Sequence, residues 1–260
     1  CIEHYLNSEK QYYCATLSEL VLQVSSRHLN LLKKVAARLN LFFDCVLIDE
    51  FQDFREYNYD LIMALGKSLQ NVILVGDYYQ HSVLASNNSG KPYKKRKSEL
   101  SYEQFIKELN CAGFEVDLTT LNKSRRCSVD VCQYVRNKLG IEISSLGTNT
   151  GTVIWVDKNA KEILENQHIV KLVYRDSSKY SFNAINWSYS KGDTLDAVCV
   201  ILTDKFERLA DDKFSTKKIS TSTINKLYVA MTRSRGNLYL MRASTFKKIK
   251  DSYVKAVNIS

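Results

Sequence analysis

The sequence predicts an α/β protein built from two parallel-sheet units. Short apolar runs rich in β-branched residues alternate with segments that carry apolar residues at helical spacing. One proline and nine glycines among 260 residues favour regular elements over long linkers. The pattern is interrupted by a polar, basic stretch at 87–97, and a second series of strands and helices begins near residue 118. We therefore expect a first unit over 1–117 and a second over 118–260.

The first unit begins, in this prediction, with an amphipathic helix at 29–40 (LNLLKKVAARLN). The run at 41–49 (LFFDCVLID) is too short and too β-branched for a helix and predicts a buried strand. Helical spacing returns at 59–69, and 71–77 (NVILVGD) predicts a second buried strand. Strand, helix and apolar strand in this order indicate a right-handed βαβ unit in a parallel sheet. A helix and a further strand are expected within 100–117.

The second unit shows the same alternation. Ser128 is a candidate cap for a helix whose apolar positions are Val131, Val135 and Leu139. Strands are predicted at 152–157, 168–174 and 197–202, followed by a helix around 224–232 and a last strand at 237–241.

Composition limits the class of protein. The hydrophobic fraction of 45% and the charged fraction of 25% are typical of a globular protein. No apolar run approaches the roughly 20 residues of a membrane span, and we expect a cytoplasmic protein with no membrane partner. Seven cysteines lack CxxC spacing, so reduced thiols are expected; Cys127 and Cys132 have no companions for a zinc site. A net charge of +9 indicates an anionic partner, most commonly nucleic acid.

Acidic and amide side chains follow both strands of the first unit. Asp49 and Glu50 come after one strand, and Asp77 and Gln80 after the next. Ligands of open α/β sheets bind beyond the carboxyl ends of strands, so these groups are expected to converge. An aspartate there is suited to Mg²⁺, and a glutamate beside it to orienting a water. The alternative is a solvated turn in which the acids cap helices.

Five segments, in order, resemble boxes of the superfamily 1 helicases of UvrD/Rep type. VLIDEFQDF resembles the DExQD box and ILVGDYYQ the GDxxQ box, while LNKSRRCSVDV is similar to L-x-x-N-Y-R-S. SYSKGDTLDAV resembles S-x-K-G-L-E-F-D-x-V, and KLYVAMTRSRGNLYL is close to L-Y-V-A-x-T-R-A. The resemblance implies two RecA-like units of the P-loop NTPase type that couple ATP hydrolysis to movement on single-stranded or partly duplex DNA.

Roles in ATP hydrolysis follow from the resemblance, residue by residue. Asp49 would bind the Mg²⁺ of MgATP, and Glu50 would activate the attacking water. Gln80 would sense the γ-phosphate. Arg126 and Arg233 would act as paired arginine fingers, which typically contribute about 10³–10⁵ in rate. Arg233 follows the predicted helix, and its replacement is expected to reduce turnover while leaving thermal stability nearly unchanged.

The SYSKGDTLDAV segment implies further contacts. Ser188, Ser190 and Lys191 would meet the nucleic acid, and Gly192 would lie at the nucleotide. Thr194 replaces the family's glutamate, which usually contacts the nucleotide sugar.

Two aromatic residues flank the first of these serines. Where the family has threonine and histidine, this chain has Asn186 and Ser188, beside Trp187 and Tyr189. The aromatic rings are candidates for base stacking, and the alternative is that they fill a core.

The G-x-x-x-x-G-K-[ST] loop that cradles phosphates is missing from these 260 residues. GKS at 66–68 lacks the first glycine, and the GKP at 90–92 fails as well. We therefore expect the first RecA-like unit to be incomplete, its P-loop segment to belong to a longer protein, and the chain to be inactive alone.

Two other functional classes stay open at this level. One is a helicase-like remnant that binds nucleic acid without catalysis. The other is a metal-dependent nuclease built on the acidic cluster, which lacks a persuasive acid–acid–lysine arrangement. The basic run KPYKKRK at 91–97 is either a solvated loop or a contact to a DNA backbone.

Overall fold

The computed structural model describes residues 2–27, 31–81, 83, 90–95 and 98–255. The described chain divides into two compact units. The first holds the residues through His81 and those from 90 to Val116, and the second holds Val83 and the residues from Asp117 onward. Both units are α/β with parallel sheets, which confirms the predicted fold class.

The first unit carries a small parallel sheet and four helices. Its elements are α1 (Cys14–Arg27), α2 (Leu31–Phe42), β1 (Val46–Ile48), α3 (Glu56–Gly66), β2 (Val72–Leu74), β3 (Lys94–Lys95), β4 (Ser98–Glu99) and α4 (Tyr102–Cys111). Strands β1 and β2 pair in parallel, with Leu47 opposite Ile73, whereas β3 and β4 form an antiparallel pair. The βαβ unit predicted from the sequence is therefore present as β1–α3–β2.

Two local predictions need correction, and one helix has no counterpart in the prediction. Helix α1 was not predicted. The strand expected at 41–49 is confined to β1, because the α2 backbone continues to the Phe43 amide, which donates to the Leu39 carbonyl (2.9 Å). The strand expected near the end of 100–117 does not form: the Phe114 amide instead donates to the Leu109 carbonyl of α4 (3.1 Å).

An aromatic cluster forms the core of the first unit. Tyr78 lies at its centre and packs against Tyr93 and Phe105 with ring centroids 5.7 and 5.6 Å away. The His81 ring stacks on Tyr93 at 4.1 Å, and the guanidinium of Arg55 lies 4.2 Å from the centroid of the same tyrosine ring. The Tyr78 hydroxyl donates to the Leu100 carbonyl (2.6 Å), so the cluster ties the segment after β2 to the start of α4.

The second unit is organised around a five-stranded parallel sheet. Its elements are β5 (Lys123–Ser124), α5 (Val129–Leu139), β6 (Ser144–Ser145), β7 (Val153–Val156), α6 (Ala160–Glu165), β8 (Val170–Val173), β9 (Ala184–Asn186), β10 (Val198–Ile201), α7 (Thr221–Met231), β11 (Leu238–Met241) and α8 (Ala243–Lys247). The strand order is β7-β11-β10-β8-β9. Every residue of the central strand β10 is buried, as expected for a parallel sheet covered on both faces.

Helix α5 begins and ends with conventional caps. The Ser128 hydroxyl accepts a hydrogen bond from the Val131 amide (3.2 Å), which confirms the predicted cap. At the other end Gly140 adopts φ +69°, the left-handed conformation that favours glycine after a helix. Among the helices of the described ranges, none combines the length and apolar character that crossing a membrane would require.

Candidate functional site

The polar turns that follow β1 and β2 lie side by side. The buried side-chain amide of Gln52 joins them. The Phe51 amide donates to the Val75 carbonyl (2.8 Å), which aligns the two turns. The side-chain amide of Gln52 donates to the Glu50 carboxylate, and its oxygen accepts from the Asp77 amide (3.0 Å). Gln52 has no role in the sequence-based prediction, although its place inside an acidic run is a signal in the sequence.

Asp77 extends this network to Gln80. One carboxylate oxygen of Asp77 accepts from the Gln80 side-chain amide (2.9 Å), and the other accepts from the Tyr79 amide (2.9 Å). Glu50, Gln52, Asp77 and Gln80 thus form one hydrogen-bonded chain, hereafter the carboxyl-edge chain, at the carboxyl end of the parallel pair. The predicted convergence of the two turns is present.

The backbone around Glu50 is held in an uncommon conformation. Glu50 has φ 51° and ψ 36°, in the left-handed region that costs a non-glycine residue roughly 1–2 kcal/mol. Its amide donates to the Asp49 carboxylate (2.7 Å). Gly76 allows the close approach of the second turn, since a Cβ there would lie 2.5 Å from the Gln52 side-chain oxygen. The surrounding contacts therefore fix the backbone position from which the Glu50 side chain extends.

Arg55 supports the acidic turn from the core. Its guanidinium is buried, donates to the carbonyls of Gln52 and Phe54, and lies against the Tyr93 ring. Burial lowers the pKa of Arg55, while Tyr93 and Asp53 act in the opposite direction. The turn that carries Glu50 is thereby connected to the aromatic cluster.

The donor set fits a metal that arrives with phosphate. Asp49 is exposed, and among the described residues no group of three histidine, cysteine or acidic side chains is arranged to hold a metal by itself. Mg²⁺ commonly binds proteins through one or two carboxylates and completes its shell with phosphate oxygens and water. Asp49 would supply such a carboxylate.

In the second unit, Arg126 and Arg233 meet at Thr232. Arg126 donates through Nη1 to the Thr232 carbonyl (3.1 Å) and through Nε to the Thr194 hydroxyl (2.8 Å). Arg233 donates through Nη2 to the Thr232 hydroxyl (3.2 Å) and through Nε to the Val229 carbonyl (2.9 Å). Two residues 107 positions apart in the chain are therefore neighbours, and Thr194 contacts the first of them.

The two arginines differ in exposure. Arg126 is partly exposed, whereas Arg233 is only 2% exposed and turns its guanidinium onto carbonyls of its own unit. The hydrogen bonds of Arg233 make it a structural part of the connection between α7 and β11. Arg235, two residues later, is exposed and pairs with Asp196 (2.6 Å).

The aromatic pair before β10 divides between core and surface. Trp187 is fully buried, and its indole nitrogen donates to the Leu172 carbonyl of β8 (2.9 Å). The prediction of base stacking is therefore wrong for Trp187, because its ring fills the core. Tyr189, in the same single 3₁₀ turn (Trp187–Ser190), is 69% exposed.

The predicted nucleic-acid contacts are also divided by burial. Ser190 is buried and donates to the Trp187 carbonyl (2.8 Å), so the structure does not present it to a ligand; it closes the turn instead. Ser188 and Lys191 are partly exposed. Gly192 follows with φ +88°, a conformation that favours glycine, and its neighbour Asp193 donates its amide to the Ser190 carbonyl (3.1 Å).

Comparison with known families supports the resemblance. Residues 1–82 match the family model described as the UvrD/REP helicase N-terminal domain, which confirms the similarity to UvrD-like helicases seen in the sequence. No curated protein sequence matches the chain.

The chain is also similar to solved structures of viral helicases. One is Arterivirus nonstructural protein 10 (helicase) in complex with DNA, with 15% identity and a TM-score of 0.43; the match covers 75% of this chain and 39% of that one. Another is the PRRSV helicase, with 16% identity and a TM-score of 0.45, covering 81% and 38%. The chain spans less than two fifths of the length of these structures.

Proposed function

We propose that this chain is part of an ATP-dependent DNA helicase or translocase of UvrD/Rep type that moves on single-stranded DNA. The carboxyl-edge chain carries the proposal. It lies within the segment that matches the family model and joins both polar turns into one preorganised group. A solvated turn would not require the buried Gln52 or the close approach at Gly76.

The proposed ligand of this group is MgATP, which supplies the metal and the phosphoryl group to be transferred. Asp49 binds the metal through its exposed carboxylate. Glu50 accepts a proton from the attacking water, and Gln52 holds the Glu50 carboxylate in place. Gln80, positioned by Asp77, donates its amide to the γ-phosphate. Phosphoryl transfer depends mainly on such positioning and charge stabilisation.

Arg126 and Arg233 are the proposed cations for the γ-phosphate. Arg126 is partly exposed and is oriented by Thr194 and Thr232. Arg233 would first have to exchange its carbonyl partners for phosphate oxygens. Its burial therefore predicts that nucleotide binding is accompanied by a rearrangement around Thr232.

The exposed face of the small sheet supports the proposal that a missing P-loop segment is its partner. Leu47 and Ile73 are direct neighbours across β1 and β2 and are 71% and 52% exposed. Parallel sheets are normally covered on both faces. Leu41, Phe42 and Phe43, which lead into β1, are exposed as well. We propose that the P-loop segment of the same protein covers this apolar surface and completes the first RecA-like unit.

The turn before β10 is the proposed contact to single-stranded DNA. Tyr189 offers an exposed ring for stacking on a base. Ser188 and Lys191 flank it, and Ser190 keeps the turn closed from inside. The net charge of +9 favours a polyanionic partner.

The decisive experiment replaces Glu50 in a protein that carries the P-loop segment upstream of this chain. Glu50→Gln should retain MgATP binding and lose DNA-stimulated hydrolysis by about a hundredfold or more, because the water loses its base. Asp53→Asn is the matched control, since Asp53 lies in the same acidic run; hydrolysis should stay within a few-fold of the parent. Hydrolysis by the Glu50→Gln variant that also stays within a few-fold of the parent would show that the acids form a solvated turn.

A second candidate is a helicase-like remnant that binds nucleic acid without turnover. The burial of Arg233 on carbonyls favours it, because a residue with a structural role persists without catalysis. This candidate predicts DNA binding without ATP hydrolysis even when the P-loop segment is present. The 260-residue chain alone should be inactive under either proposal, and robust turnover from it would overturn both.

A further inference from the structure

The backbone of Arg126 is held by side chains on both of its polar groups. The side-chain amide of Asn149 donates to the carbonyls of Arg125 (3.0 Å) and Arg126 (2.8 Å). The Ser124 hydroxyl accepts from the Arg126 amide (3.2 Å). Asn149 lies 23 positions later in the chain than Arg126, in the connection between β6 and β7. The tertiary fold therefore fixes the backbone from which Arg126 extends.

The guanidinium of Arg126 is held by acceptors from two further segments. Its Nε donates to the Thr194 hydroxyl (2.8 Å), and its Nη1 donates to the Thr232 carbonyl (3.1 Å). A long side chain loses rotamer freedom when it is ordered, and two acceptors at fixed places order this one before a ligand arrives. In the described part of the chain Nη2 has no protein acceptor, which leaves its hydrogens for an anionic ligand.

The position of Thr194 is itself fixed by its neighbour. The Leu195 amide donates to the Arg233 carbonyl (2.9 Å), and Leu195 forms a parallel bridge with Ser234. Thr194 is exposed, so its side chain is not part of the core. Its hydroxyl contacts Arg126, 68 positions away in the chain. These contacts indicate that the hydroxyl serves the arginine and not the packing of the unit.

We infer that Thr194 and Asn149 are positioning residues for Arg126, one for its guanidinium and the other for its backbone. The inference rests on the proposed function, in which Arg126 meets the γ-phosphate. A cation that is oriented before phosphoryl transfer stabilises the transition state without a reorientation that would add to the barrier. Thr194 and Asn149 act through Arg126 and do not contact the nucleotide in this role.

The first test measures DNA-stimulated ATP hydrolysis in a protein that carries the P-loop segment upstream of this chain. Thr194→Val keeps the shape of the side chain and removes its hydroxyl. We expect kcat to fall about 10-fold and KM for ATP to change less than about 2-fold, because a charge-assisted hydrogen bond that orients Arg126 is lost. Thr194→Ser keeps the hydroxyl and should stay within about 2-fold of the parent.

Variants of the loop before β7 extend this test. Asn149→Leu should also lower kcat about 10-fold, since both backbone carbonyls lose their donor. Thr150→Val, at an exposed position of the same loop, is the matched control and should stay within about 2-fold of the parent. In an Arg126→Ala background, neither Thr194→Val nor Asn149→Leu should reduce kcat further, because both act through the arginine. Losses that add to that of Arg126→Ala, or a raised KM with unchanged kcat, would overturn the inference.

A second readout does not depend on turnover. In the 260-residue chain with isotopically labelled arginine, the nuclear magnetic resonance signal of the Arg126 Nε–H group should lie apart from those of exposed arginines. Arg126→Lys identifies this signal. Thr194→Val should shift it toward the exposed arginines, and Thr194→Ser should keep it in place. A signal that ignores Thr194→Val would overturn the inference even if the complete protein hydrolyses ATP.

The two readouts separate this inference from the proposed function. A complete protein without DNA-stimulated hydrolysis, in which the Arg126 signal still responds to Thr194→Val, would overturn the proposed function and with it the role of these residues in catalysis. Hydrolysis that persists unchanged in Thr194→Val and Asn149→Leu would overturn the positioning role alone.

Discussion

Arg233 and Arg235 lie two residues apart, yet only one of them is integrated into the fold. Arg233 donates to carbonyls at Val229 and Asp193 from a buried position. Arg235 forms an exposed ion pair with Asp196. The sequence-based expectation that replacing Arg233 leaves thermal stability nearly unchanged rests on the assumption that its guanidinium serves the phosphate and not the fold. The hydrogen bonds of its guanidinium contradict that assumption.

We predict that Arg233→Ala lowers the free energy of unfolding by about 2–3 kcal/mol, because buried carbonyls lose charged donors. Arg235→Ala should cost at most about 1 kcal/mol, the usual range of an exposed ion pair. Urea denaturation of both variants and the parent measures the difference. Equal, small losses would mean that the buried guanidinium does not stabilise the second unit more than the exposed ion pair does.

His81 gives the first unit a predicted dependence on pH. Burial is the main cause that lowers the pKa of His81 to about 4, against about 6.5 in the unfolded chain. The folded protein therefore holds the neutral ring. The contribution of the buried His81 ring to the free energy of unfolding is complete above pH 6.5. It decreases as the pH falls toward 4, by up to about 1.4 kcal/mol per pH unit.

Replacement of His81 by phenylalanine should remove this pH dependence while keeping a ring stacked on Tyr93. Denaturation followed by far-ultraviolet circular dichroism between pH 7 and 4 is the measurement. His168→Gln, at an exposed position, serves as the control and should keep the parental slope. An unchanged slope in the phenylalanine variant would assign the acid sensitivity to other groups.

At the scale of elements, the start of α5 combines three features within seven residues. Ser128 caps the helix, the buried Cys127 and Cys132 lie before and after the cap, and Arg126 leads into it. We predict that Ser128→Ala lowers the free energy of unfolding by about 1 kcal/mol, because the Val131 amide loses its acceptor. Val129→Ala, at the exposed next position, should change it by no more than about 0.5 kcal/mol. Thermal denaturation of the two variants compares them, and identical midpoints would exclude a stabilising cap.

At the scale of the whole molecule, the two units should differ in local stability. Strand β10 is buried between β8 and β11, whereas β1 and β2 form a two-stranded sheet with one exposed apolar face. Hydrogen exchange followed by mass spectrometry should show amides of β10 exchanging at least ~10-fold more slowly than those of β1 and β2.

The same measurement tests the proposed partner of the small sheet. When the P-loop segment is present, exchange in β1 and β2 should slow and exchange in β10 should stay unchanged. Unchanged exchange in both sheets would mean that this segment does not cover Leu47 and Ile73.

The sequence by itself determined the order of the main strands and helices, the parallel βαβ pairing and the cap at Ser128. These follow from local periodicity and local hydrogen bonding, which neighbouring residues specify. It also indicated that the turns after β1 and β2 converge, since parallel strands end at the same edge of a sheet.

Only the tertiary structure decided which polar side chains of these segments face inward. It buried Gln52 between Glu50 and Asp77, placed Trp187 in the core and Tyr189 on the surface, and turned Arg233 onto carbonyls. The direction of a side chain in a turn depends on partners that are distant in sequence, such as Leu172 for Trp187. Residue type and spacing do not encode those partners; packing selects them.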